Sequence, residues 1–75
     1  MRLAAAAIRR MQSSLVARAI YDPAAGTLAV TFTTGRAYLY FDVPPALYAE
    51  FVAAGSKGQF FNAYIRDRFA YRELD

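Results

Sequence analysis

Seventy-five residues, 57% of them apolar and twelve of them Tyr or Phe, suffice for one small domain with a dense core, not for a disordered chain. Without cysteine or histidine there is no disulfide, no thiolate zinc site and no imidazole base. The net charge of +3, from eight arginines and one lysine against six acids, suits contact with nucleic acid or another acidic surface, although solvated surface charge is the more ordinary account of so small an excess.

Residues 1–12 are Ala-rich and basic, and their propensity predicts a short N-terminal helical arm outside the domain proper, which spans 13–75. The apolar run Leu3–Ile8 is too short for a membrane span of ~18–20 residues. It also falls short of a secretory core of ~7–15 residues, so a cytoplasmic protein is the simplest expectation.

Leu15 to Tyr21 has strand character and ends in Asp22-Pro23-Ala24-Ala25-Gly26, a turn with Pro to set φ and Gly to permit positive φ. Leu28, Val30 and Phe32 alternate with polar or small residues, the period of a half-buried strand. After Thr33-Thr34-Gly35 a third strand runs from Arg36 to Phe41. Three strands so close in sequence predict an antiparallel meander. A two-residue loop at Thr34-Gly35 would pair Val30 with Leu39 and turn Tyr38 and Tyr40 outward. A three-residue bulged loop would pair Val30 with Tyr38 and Leu28 with Tyr40, carrying both rings inward. Glycine in the third loop position favours the bulged form.

Val43-Pro44-Pro45 ends the sheet and opens a helix over Ala46–Ala54, with Leu47, Tyr48, Phe51 and Val52 as its apolar stripe and Gly55 as its stop. Ser56 and Gln59 form a capping-box pattern for a second helix from Lys57 to about Phe69, whose stripe is Phe60, Phe61, Tyr64, Ile65 and Phe69. The tail from Ala70 reads as extended. The predicted fold is α+β: a three-stranded antiparallel meander followed by two helices packed on one of its faces.

Asp22 and Asp42 sit at turns, where side-chain bonds to the backbone explain them without catalysis. No glycine-rich phosphate loop is present, and nothing implies a cofactor, a metal or a small-molecule substrate. A non-catalytic protein is expected. Single-stranded RNA is bound by aromatic rings that stack bases beside cations that hold phosphates. Lys57, Arg36, Arg66 and Arg68 are the candidate phosphate contacts, with Tyr38 and Tyr40 beside them if their face is open. Tyr64 and Tyr71 could add rings. Aromatics at strand and helix spacing are more often core than binding surface. Lys57 opposes the dipole of the helix it opens, a mildly unfavourable placement that binding would explain.

The ordered set Ser13-Ser14, Tyr21-Asp22, Leu28-x-Val30-x-Phe32, Gly35, Tyr38-x-Tyr40, Val43-Pro44, Tyr48, Ser56-Lys57-Gly58, Phe60-Phe61-Asn62 and Ile65-Arg66 resembles the KTSC domain. That domain is named for the C-terminus of some lysyl-tRNA synthetases and also stands alone in bacteria and phages. Ile20 departs from it, since such domains usually carry glycine there, and Phe69 stands where tyrosine is common. The resemblance implies a stand-alone RNA-binding module. The competing expectation is a protein-interaction module or homodimer that uses Leu39 and Phe41 or the N-terminal arm.

Overall fold

The computed structural model describes residues 7–11 and 13–74. Five strands form one antiparallel sheet in chain order: β1 (Ala7–Arg10), β2 (Val16–Asp22), β3 (Thr27–Phe32), β4 (Ala37–Tyr40) and β5 (Tyr71–Leu74). Two helices, α1 (Pro45–Ala53) and α2 (Lys57–Tyr64), lie in the chain between β4 and β5. The α+β architecture is as expected, and two further strands extend the meander. The expected N-terminal helical arm is corrected over its described part. Residues 7–10 are a strand registered on β2, with Ile8 opposite Ile20 and Arg10 opposite Arg18. A ladder partner outweighs a weak helical propensity in so short a segment. The rest of that arm, apart from Met11, lies outside the described residues.

Three local devices set the registers. Asp22 closes the β2–β3 turn, its Oδ1 accepting from the amides of Ala24 at 3.0 Å and Ala25 at 3.3 Å. A bulge between Val16 and Arg18 shifts the side-chain parity of β2, so Val16 and Ala19 both point inward and are fully buried. Gly35, at φ +97°, closes the bulged β3–β4 loop and pairs Val30 with Tyr38 and Leu28 with Tyr40. Tyr40 is buried as a result, and Tyr38 half-buried.

The core lies between the inner sheet face and the helices: Val16, Ala19, Tyr21, Leu28, Val30, Tyr40, Val43, Phe51, Phe61 and Ile65. Tyr21 stacks on Tyr48 and donates its hydroxyl to the Val43 carbonyl at 2.6 Å, tying β2 to the segment that leads into α1. The second helix ends earlier than its apolar spacing predicts. Phe61 and Ile65 are fully buried, but Tyr64 is 53% exposed. The regular helix ends at Tyr64, the Ile65 amide makes a last i→i−4 bond to the Phe61 carbonyl, and residues 65–70 then reverse the chain into β5. Among the described residues no helix is long and apolar enough to cross a membrane.

Candidate nucleic-acid interface

The pairing of β4 with β5 builds one groove. It sets Tyr71 opposite Tyr40 and Glu73 opposite Tyr38, and cross-strand partners on one face sit close enough for their side chains to touch. The Tyr71 ring lies 5.8 Å from that of Tyr40 and 5.7 Å from that of Tyr38. Phe32 meets Tyr38 edge-on at 5.7 Å. The turn after α2 adds Arg66 and Asp67, and these six side chains line a cavity of about 190 Å³. Tyr40 is its buried floor, only 4% exposed, whereas Tyr71 stands at its rim, 57% exposed.

A second depression of about 270 Å³ adjoins the first, sharing Phe32, Tyr38 and Arg66 with it, and adds Leu15, Thr34 and Arg36. The Arg36 guanidinium donates to the Tyr38 hydroxyl at 3.4 Å and faces Glu73 at 3.7 Å. Both interactions favour its charged form. Arg66 donates to Asn62 Oδ1 at 3.0 Å, one helical turn back, which steadies its side chain beside the rings. Burial pushes the Tyr40 phenol up to about 12, with Arg66 pulling the other way, so the floor offers a neutral hydroxyl at working pH.

Of the residues singled out in the sequence, Arg36, Arg66, Tyr38 and Tyr40 therefore line two adjoining depressions, with Arg66 and Tyr38 common to both. Arg68 is exposed on the turn and lines neither part of it. Lys57 lies in a separate cleft of about 510 Å³ with Ser13, Ser14, Leu15, Gly55, Ser56, Gly58, Gln59 and Asn62. Its ammonium donates to the Ala54 carbonyl, just past the end of α1. Ser56 caps α2 through the Gln59 amide at 3.3 Å, half of the expected capping box. Ser13 accepts from the amides of Leu15 and Val16. A Cβ on Gly58 would stand 3.3 Å from Leu15 Cβ, so the glycine lets α2 approach that segment closely.

Asp67 escaped the sequence reading, because an acid between two arginines passes for charge balance. Tyr71 was recognisable as an aromatic, but its place at the rim depends on a pairing between segments about thirty residues apart.

A family model described as the KTSC domain matches residues 12–69. A protein of Tsukamurella paurometabola is 44% identical over 59 residues, covering 79% of this chain and 88% of its own. A lysine–tRNA ligase of Nostoc punctiforme is 35% identical over 63 residues, which cover 84% of this chain but 11% of the ligase. The crystal structure of a KTSC domain protein from Yersinia pestis superposes with a TM-score of 0.88 at 32% identity, covering 95% of this chain and all of that one.

Proposed function

The chain belongs to the KTSC domain family, and we propose that this member is a non-catalytic module that binds single-stranded RNA in the groove between β4, β5 and the turn after α2. The observation that supports the reading is an exposed ring, Tyr71, and Arg36 in two adjoining depressions that share Tyr38 and Arg66. Bases stack on the ring faces while the two guanidinium groups hold phosphates. Two lysine–tRNA ligases of Nostoc carry a related segment, and enzymes of that name act on an RNA, which adds support. The protein-interaction reading has less behind it, since Leu39 and Phe41 are both half-buried.

The test is fluorescence anisotropy with a labelled seven-nucleotide oligouridine, matched single-stranded DNA and duplex controls, over a salt series. The single-stranded RNA binds, and its affinity falls with salt at a log–log slope of about −1.4 for two phosphate contacts. The Arg36→Ala/Arg66→Ala double variant stays folded and loses binding. No binding of any oligomer at low salt rejects the proposal.

A further inference from the structure

Asp67 is out of place in a groove that receives phosphates. Asp67 lines the cavity with Tyr40, Tyr71 and Arg66, and its charge is close enough to be felt at the Tyr40 hydroxyl. Two of the other acids have work within the fold: Asp22 closes a turn, and Glu73 faces Arg36. Asp67 makes no hydrogen bond and no ion pair among the described residues. Arg66, its neighbour in the chain, is held by Asn62 instead. A free carboxylate repels a polyanion and weakens the site, unless its acceptors meet donors that the ligand itself carries.

On the reading that the groove takes single-stranded RNA, we propose that Asp67 is its base-selecting residue and favours guanine. Unstacked bases in such sites are read along their Watson–Crick edges. A carboxylate is acceptor-only, with two oxygens side by side. Guanine alone presents two adjacent donors there, its ring N1–H and its 2-amino group. Cytosine offers one amino group, adenine sets an acceptor beside its amino group, and uracil flanks its N–H with two carbonyls. The ring of Tyr71 supplies a stacking surface at the rim, and about 190 Å³ is far more than the ~30 Å³ of one water, so a planar base has room to enter.

The experiment uses the whole chain and seven-nucleotide oligouridines whose central residue is U, G, inosine, A or C. Wild type binds the G-containing oligomer about tenfold more tightly than the all-U one. Inosine, which lacks the 2-amino group, falls between them. In Asp67→Asn the preference shrinks to about twofold or less and all-U affinity rises, because a repelling charge is gone. Asp67→Glu keeps more of the preference than Asp67→Asn. Equal binding of all five oligomers by wild type, or a preference unchanged in Asp67→Asn, overturns the inference and leaves RNA binding standing. Failure of every oligomer to bind rejects both. Displacement of the RNA by tetramethylammonium in an Asp67-dependent manner also overturns it, by showing that the rings and acid form a cage for cations.

Discussion

The Lys57 ammonium reaches back three residues to a carbonyl left over where α1 ends. Its charge opposes the positive end of α2 but complements the negative end of α1, and the two helix ends share the one cation. From sequence alone only the unfavourable half of that arrangement is visible. Lys57→Met keeps most of the stem and removes the bond, and should lower stability by about 1 kcal/mol. Urea unfolding measures this, and a variant as stable as wild type would remove the structural role. Asn62 follows the same logic, since its side-chain oxygen is taken by Arg66.

At the scale of elements, the β3–β4 hairpin decides which faces carry rings. Gly35 adopts φ +97°, with nothing within 4 Å of where a Cβ would be, so any cost of a side chain there is backbone strain alone. Gly35→Ala should cost about 1–2 kcal/mol in chemical denaturation. A loss below about 0.5 kcal/mol would mean that the loop relaxes without strain. This hairpin was legible because its turn chemistry and its alternation lie within a dozen residues. The end of α2 was not: Tyr64, Ile65 and Phe69 continue a helical spacing, yet the chain must reverse at Ile65 to reach the sheet. The strand at 7–10 was obscured by alanine's helical preference. The site divides the same way. Arg36 and Tyr38 share a strand segment and can be grouped by eye, whereas their meeting with Arg66, Asp67 and Tyr71 rests on the packing of two segments about thirty residues apart.

Across the whole molecule, stability should decline in alkali for a traceable reason. Burial raises the Tyr40 phenol from 10.0 to about 12, so the unfolded chain loses that proton first. The stabilisation is therefore complete below about pH 10 and disappears as pH rises through about 12. Tyr21 is raised too, by burial and by Asp22, and adds to the slope. Urea midpoints between about pH 9 and 12 should fall less steeply for Tyr40→Phe than for wild type. Equal slopes would assign the loss elsewhere.

The fifth strand is short, and its first three residues are exposed. It is also joined to the sheet by the longest connection in the fold, so it is the natural place for partial opening well below the free energy of global unfolding. Tyr71 and Glu73 would leave with it, and the groove would lose one wall while the core stayed intact. Amides of residues 71–74 should therefore exchange with deuterium far sooner than those of β2 and β3. A ligand seated against Tyr71 would hold the strand down, and its arrival would be written in slowed exchange at that edge alone.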